Sequence, residues 1–279
     1  ATDMFKGGLG VAAIHVNMLM AIWIFNNIKF KRKQCATIHF ITAVLLLLWL
    51  LSLDMSLMWK SFVFEPSGLY INPCTVAILG LSSYYHAISF FELIGIKKKI
   101  IRYCIYIIMT VAAGILIVKT VCRATLMAFF VFIALVFFKD KVNRKYQLLL
   151  TYTLIFSLVF PIIYIYLAHI IEGFQFFGKN FFTQRDNLWQ SVYNLIFEGP
   201  ILGTGSNSDI LLKGGLIDDA HNFFLGIWKN IGIIPMVTMF VVLRQGKNIK
   251  IITKQNLIMK IMFLTGLVIS SVETMLNGR

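Results

Sequence analysis

Runs of about twenty apolar residues recur along this chain, and they restrict its possible folds more than any other feature. The eight runs lie roughly at 8–28, 36–53, 73–95, 100–118, 124–138, 147–171, 221–243 and 257–276. A helix of this length crosses a hydrocarbon layer of about 30 Å. Only 14% of the 279 residues are charged, against about 25% in a soluble domain. We therefore predict an all-α polytopic membrane protein, a single transmembrane domain over 1–279 with about eight transmembrane helices.

The two ends of the chain are those expected of a piece of a longer protein. It begins with Ala1 rather than Met, and it stops just after an apolar run. We therefore expect the sequence to be a fragment, with further spans at either end.

Basic residues between the spans predict the orientation of the protein. Four connectors each hold four Lys or Arg and alternate with connectors poor in both, namely 26–34, 96–102, 139–145 and 244–254. Of the twelve acidic residues, only Asp140 lies among them. Since basic loops stay in the cytoplasm, the segments 54–72, 119–123 and 172–220 are predicted to face outward. The formal net charge of +14 is thus a topology signal, and we expect no nucleic-acid partner.

The cysteines have neither the spacing of a metal site nor that of a disulfide framework. Cys35, Cys74, Cys104 and Cys122 form no CxxC pair and lie in or beside apolar runs. Small buried hydrophobic residues are the better interpretation. The acidic residues likewise include no DxD-like pair that could hold a divalent ion. We expect no metal site and no cofactor.

The segment 172–220 is the one long stretch between predicted spans, and long loops are usually functional or disordered. Its middle, 185–197, has apolar residues at helical spacing: Leu188, Trp189, Val192, Leu195 and Ile196. This pattern predicts an amphipathic helix at the membrane interface. Gly203 and Gly205 follow, and glycines permit tight turns close to a ligand. We predict an external loop over 172–220 that carries this interfacial helix.

Two arginines at the predicted outer surface are candidates for binding an anion. Arg123 begins the fifth span, where a helix N-terminus attracts anions, and it runs against the charge bias of the outer side. A snorkelling anchor is an equally good interpretation of that position. Arg185 begins the interfacial helix, where a surface arginine beside Asp186 is the simpler alternative. A guanidinium, however, binds two phosphate oxygens at once and keeps its charge.

His221, at the start of the seventh span, is the candidate for proton transfer. Imidazole can hold a reacting hydroxyl or accept its proton, and Asp219 could orient it or take the proton itself. A capped interfacial histidine is the alternative. Lys229 lies about 12 Å below that start, on one helical face with His221 and Trp228. Because a lysine facing lipid costs about 2.5–3.5 kcal/mol, we predict that Lys229 faces a polar cavity that is the site.

Several of these residues occur in the order found in a known family. The matching stretches are Gly68-Leu69-Tyr70-Ile71-Asn72-Pro73, Cys122-Arg123-Ala124, Arg185-x-x-x-Trp189, Pro200-x-x-Gly203-x-Gly205 and His221-Asn222. Over roughly residues 60–245 the chain resembles the O-antigen polymerase and O-antigen ligase family (Wzy-type polymerases and their ligase relatives). Cys74, Cys122 and Ala124 depart from the Asn, Ser and Gly of the family pattern.

The resemblance implies a metal-independent, membrane-embedded glycosyltransferase. It would act on undecaprenyl-diphosphate-linked oligosaccharides at the outer face of the bacterial cytoplasmic membrane, where nucleotide sugars are absent. Arg123 and Arg185 would bind the donor diphosphate, and His221 would position or deprotonate the acceptor hydroxyl. The further substrate-binding candidates are Asn72, Trp189, Gly203, Gly205, Asp219, Asn222 and Lys229.

Two functions of the same class remain open, and a third belongs to another class. The first hypothesis is a polymerase of repeat units of O-antigen, capsule or exopolysaccharide, and the second is a ligase that transfers the glycan to a lipid or protein acceptor. A flippase would instead spread cationic residues through a central passage and show an inverted repeat. Besides the lipid-linked glycan and the bilayer, the expected partners are a chain-length regulator and a flippase.

Overall fold

Nine α-helices and three short hairpins make up the part of the chain that the structure, a computed structural model, describes. The described residues are 31–53, 63–64, 70–71, 73–120, 122–171, 175–176, 179–180, 185–204, 210–212, 215–217, 220–245 and 254–272. The span predicted at 8–28 lies outside them, so that prediction stays untested.

The elements alternate between long apolar helices and short hairpins. The helices are α1 (Arg32–Ser52), α2 (Pro73–Ile94), α3 (Lys99–Lys119), α4 (Arg123–Phe137), α5 (Lys139–Ile170), α6 (Arg185–Glu198), α7 (Phe223–Ile231), α8 (Ile233–Gln245) and α9 (Lys254–Ser270). The antiparallel hairpins pair β1 (Val63–Phe64) with β2 (Tyr70–Ile71), β3 (Gln175–Phe176) with β4 (Lys179–Asn180), and β5 (Ile210–Leu212) with β6 (Gly215–Ile217). In this part of the chain, four helices are long and apolar enough to cross a membrane: α1, α2, α3 and α5.

The protein is therefore a polytopic helical membrane protein, as the apolar runs predicted. The runs at 36–53, 73–95, 100–118 and 124–138 correspond to α1 to α4 within a few residues at each end. The sixth run differs at its start, because α5 continues through the basic connector and begins at Lys139. A kink at Lys145, with φ −110° and ψ 19°, marks the boundary between the connector and the apolar part.

The core lies where α9 packs between α4 and α5. Ile261, Leu264 and Ile269 of α9 are buried there against Phe132 of α4 and Leu150 of α5. In contrast, α3 lies at the periphery and exposes a row of large apolar side chains, among them Ile100, Ile107, Ile108, Val111 and Ile115. A continuous apolar surface of this kind is suited to lipid rather than to water.

Polar contacts define one end of the helix bundle, which we call the basic end. Lys139, at the start of α5, forms an ion pair of 2.8 Å with Glu92, near the end of α2. Tyr106 of α3 donates a hydrogen bond of 2.8 Å to the same carboxylate. At the start of α1, Arg32 donates through Nε to the carbonyl of Leu93 at 2.6 Å. The basic connectors around these residues therefore lie at the same end, as the alternation of charge predicted.

The prediction of one continuous helix over 221–243 is wrong. The segment forms two helices, α7 and α8, which are separated by Gly232 with φ 95°. The residues 199–204 pack into this break. The amide of Thr204 donates to the carbonyl of Lys229 at 2.7 Å, and the amide of Ile233 donates to the carbonyl of Pro200 at 3.2 Å. These bonds replace the helical hydrogen bonds that the break removes, so the residues 199–204 stabilise the break.

We expect Gly232→Ala to destabilise the protein by about 3 kcal/mol. An added Cβ would collide with the carbonyl of Ile201, and the positive φ is strained for any residue with a side chain. The thermal midpoint of the detergent-solubilised protein, followed by size-exclusion chromatography after heating, measures this effect.

Gly266→Ala is the matched control for that substitution. Apart from its chain neighbours and the backbone of α9 itself, no heavy atom of the described residues lies within 4 Å of the Cβ that it would add. Alanine also favours a helix over glycine by about 1 kcal/mol, so the midpoint should stay unchanged or rise. An equal loss in both variants would contradict the role assigned to Gly232.

Candidate active site

The amphipathic helix predicted at 185–197 is confirmed as α6, and it positions Arg185 and Trp189. Its apolar face is covered by protein rather than by lipid alone: Leu188, Trp189, Val192 and Ile196 pack against Tyr164, Ala220 and Leu225. The indole of Trp189 donates to the carbonyl of Ala220 at 2.9 Å. A buried indole N–H requires an acceptor of this kind. Trp189 therefore ties α6 to the residues just before α7.

A second buried polar group on α6 strengthens the same contact. The hydroxyl of Tyr193 donates to the carbonyl of Leu158 on α5 at 3.0 Å. Burial raises the pKa of Tyr193 to about 12, so the phenol stays protonated and remains a donor at neutral pH. The helix that carries Arg185 is thus held against α5 as well as against the start of α7.

Asn222 fixes the start of α7 by hydrogen bonds in three directions. Its side-chain oxygen accepts from the amides of Phe224 and Leu225, each at 3.0 Å. Its side-chain nitrogen donates to the carbonyl of Ser157 on α5 at 3.0 Å and to the carbonyl of Ser271 after α9 at 2.8 Å. The residue is fully buried. An N-cap with this many partners holds the adjacent His221 in one place.

A proline explains why a helix carbonyl is available to Asn222. Pro161 lies inside α5, four residues after Ser157. Proline has no N–H, so the carbonyl of Ser157 loses its usual helical donor. The amide group of Asn222 supplies the missing hydrogen bond. The proline in α5 and the asparagine before α7 are therefore complementary.

His221 has an unusual backbone conformation. Its φ of 45° is the one positive φ of a non-glycine residue in the described part of the chain. A left-handed residue with a side chain costs about 1–2 kcal/mol, and such strain is found at functional sites because the surrounding structure maintains it. The side chain is half-buried, so the imidazole is held close to the protein but is not enclosed by it.

Arg185 is anchored beside the residue that binds Asn222. Its guanidinium donates through Nη1 to the carbonyl of Val272 at 2.6 Å. The carbonyl of the preceding residue, Ser271, accepts from Asn222. The adjacent carbonyls that end α9 therefore hold both the arginine of α6 and the cap before α7.

Arg123 lies in the same region, where it is the first residue of α4. The hydroxyl of Thr120 donates to the carbonyl of Ile117 at 2.6 Å and accepts from the amide of Cys122 at 3.3 Å, which fixes the turn before Arg123. Cys122 packs in a small cluster with Val272. The charge of Arg123 interacts with that of Arg185 and with Tyr164. The structure thus brings together two arginines that are distant in the sequence.

We call this region the site end of the bundle: α2 and α4 begin there, and α9 ends there. It lies at the opposite end of α2 from Glu92 and the basic end. Two like charges held near each other raise the free energy of the protein, and a bound anion lowers it again. The arrangement at the site end is therefore suited to an anionic ligand beside an imidazole.

The other site residues predicted from the sequence have more varied positions. Lys229 is 1% exposed, so it faces protein rather than lipid, and its polar cavity stays a prediction. Trp228 donates to the carbonyl of Pro200 at 3.0 Å. Gly203, with φ 74°, packs against the backbone of Asn230 at the break between α7 and α8, and its contact with substrate stays a prediction. Asn72, Gly205 and Asp219 lie outside the described residues.

Reasoning from the sequence missed the backbone groups that organise this site. The carbonyls of Ser157, Ser271 and Val272 carry no signal in a side-chain pattern. Pro161 is an exception, because a proline within an apolar span always leaves one carbonyl without its helical donor. The contact of Cys74 with Cys122 was also missed, since their spacing matches no motif.

Residues 108–240 match the family model described as O-antigen ligase. Over these residues the chain is similar to the O-antigen ligase family. Members of the family are glycosyl-transferring enzymes that act on lipid-linked glycans in the membrane. The matched range lies within the 60–245 of the predicted resemblance and contains Arg123, Arg185 and His221. No curated protein and no solved structure matches the chain.

The matched segment covers part of the site end but not all of it. It includes α4 to α7, with the arginines, the histidine and the Asn222 cap. The start of α2 and the end of α9 lie outside the matched range, although Cys74 and Val272 contact residues within it. The candidate site is therefore completed by helices on either side of the matched segment.

Proposed function

We propose that this protein polymerises undecaprenyl-diphosphate-linked oligosaccharide repeat units at the outer face of the bacterial cytoplasmic membrane. The observation that supports this most is the convergence of Arg123, Arg185 and the His221-Asn222 pair around the end of α9. The basic end lies at the other end of the bundle and belongs in the cytoplasm by the positive-inside rule. The site end then faces the exterior, where the proposed polymerisation of finished repeat units takes place.

The proposed chemistry is a displacement at the anomeric carbon of the donor glycan. A hydroxyl oxygen of the acceptor sugar forms a bond to that carbon, and the bond from the carbon to the diphosphate oxygen breaks. Undecaprenyl diphosphate leaves with the electron pair and its growing negative charge, which Arg123 and Arg185 stabilise. His221 accepts the proton of the acceptor hydroxyl.

Preorganisation by the backbone supports these roles. The carbonyl of Val272 fixes one guanidinium nitrogen of Arg185 at 2.6 Å, which sets the orientation of its fork of N–H donors. The hydrogen bond from Asn222 to the carbonyl of Ser271 fixes the residue that follows His221. A site that is already in position loses little entropy when the donor and acceptor bind. The polar groups are thus arranged before the substrate arrives.

Ligation is the second candidate function, and the description of the matching family model favours it. A ligase would use the same donor, leaving group and cationic residues. It would differ in the acceptor, which would be a lipid or protein instead of another repeat unit. The identity of the acceptor therefore distinguishes the two functions.

Purified protein in lipid nanodiscs, mixed with undecaprenyl-diphosphate-linked repeat units alone, tests the proposal. A polymerase should produce a ladder of products that differ by one repeat unit, resolved by gel electrophoresis and mass spectrometry. Transfer that occurs only after a lipid or protein acceptor is added would instead establish a ligase. No new glycosidic bond under either condition would overturn the proposal, and movement of the donor across sealed vesicles in that case would indicate a flippase.

A further inference from the structure

Two cysteines contact each other at the site end. The Sγ atoms of Cys74 and Cys122 lie 2.8 Å apart, although the residues are separated by 48 positions in the sequence. Cys74 is in the first turn of α2, and Cys122 is the residue just before α4. Cys122 is buried, whereas Cys74 is half-buried. A small reagent thus has its access to this pair through Cys74.

The pair lies in a small, mostly apolar cluster at the site end. Ala77, Ala124 and Val272 enclose it on the apolar side, and the hydroxyl of Thr125 lies 3.3 Å from the sulfur of Cys122. The charge of Arg123 interacts with both cysteines. The thiolate is the nucleophile in disulfide exchange.

We propose that Cys74 and Cys122 form a reversible disulfide that joins the beginnings of α2 and α4. The sulfur atoms already lie in contact, so the bond requires only a small movement of the two side chains. The predicted position at the outer face is one where disulfides persist. The bond fixes Cys122, the residue that precedes Arg123, to the first turn of α2. The family pattern has asparagine in place of Cys74 and serine in place of Cys122, and neither residue can form a disulfide.

The bond forms by exchange with a disulfide oxidant such as oxidised glutathione. The thiolate of Cys74 attacks one sulfur of the oxidant and releases one glutathione thiolate. The thiolate of Cys122 then attacks the sulfur of Cys74 and releases the second. The two protons lost by the cysteines are taken up by the two released thiolates. Two electrons pass from the cysteine pair to the oxidant, which becomes two molecules of glutathione.

The test uses a variant with Cys35→Ser and Cys104→Ser, in which Cys74 and Cys122 are the remaining cysteines. The purified protein is treated with oxidised glutathione, denatured without reductant, labelled with a maleimide and measured by intact-protein mass spectrometry. We expect the loss of two hydrogen atoms and no label on either cysteine. Treatment with dithiothreitol before labelling should restore two labelled thiols.

Two controls distinguish the internal bond from simple oxidation. In the same background, Cys122→Ser should leave Cys74 with one attached glutathione, because no second thiol displaces it. The complementary variant, Cys74→Ser and Cys122→Ser, keeps Cys35 and Cys104 and should form no internal bond. Two attached glutathiones, or two labelled thiols after oxidation, would overturn the proposal. The measurement needs no glycan substrate, so its outcome is independent of the proposed function.

Discussion

Arg123→Gln is expected to lower glycosyl transfer by about 100-fold or more. The guanidinium of Arg123 lies within interaction range of Arg185, and we assign both to the diphosphate whose negative charge increases as the leaving group departs. Glutamine keeps a similar length but removes the charge. Because the interaction strengthens in the transition state, the loss should appear in kcat as well as in kcat/KM. The activity of Arg123→Lys should fall between that of the unmodified protein and that of Arg123→Gln, since lysine keeps the charge and loses the planar fork.

Lys119→Gln is the matched control for this substitution. Lys119 is exposed and ends α3, just before the turn that leads to Arg123. The substitution removes the same positive charge from the same end of the bundle. We expect activity within about twofold of the unmodified protein, because an exposed charge interacts weakly across water. Equal activities of the Arg123 and Lys119 variants would show that only net charge matters and would refute the assigned role.

His221→Asn is expected to reduce the rate of transfer by about 100- to 10,000-fold, the range for loss of a general base. Asparagine tolerates a left-handed backbone, so it can keep the φ of 45° at this position while it removes the imidazole. Alanine would combine the loss of the imidazole with backbone strain. The rate of product formation at saturating donor and acceptor measures the effect, together with the thermal midpoint of each variant.

His169→Asn and His221→Gly separate the possible explanations. His169 is exposed in the last turn of α5, and its substitution should leave the rate unchanged. Glycine at 221 is compatible with the backbone but has no side chain, so it should be as inactive as asparagine. Recovery of the rate in His221→Gly would show that the position is needed only for its backbone conformation.

Apolar runs and basic connectors predicted most of the helical architecture. Their information is local: about twenty apolar residues must cross the bilayer as a helix wherever they occur, and basic loops remain on one side. The amphipathic helix α6 was predictable for the same reason, since its period of 3.6 residues is independent of what covers it. The sequence did not predict that α5 and the start of α7 cover its apolar face.

The break at Gly232 shows where local prediction failed. The stretch 221–243 is apolar throughout, and one glycine within it is compatible with a continuous helix. The break exists because the residues 199–204 fill it and donate a hydrogen bond to the carbonyl of Lys229. That stabilisation comes from a residue 25 positions earlier in the chain, so hydropathy could not reveal it.

The sequence by itself determined that this chain is a membrane-embedded helical protein, and it predicted Arg123, Arg185 and His221 as the candidates for acting on an anionic substrate. Side-chain chemistry is sufficient for both conclusions. Only the tertiary structure decided that Arg185 and Asn222, the residue after His221, meet at the end of α9, because the carbonyls of Val272 and Ser271 that accept their hydrogen bonds are backbone groups. Every residue has such a carbonyl, and the packing of distant helices selects which ones are used.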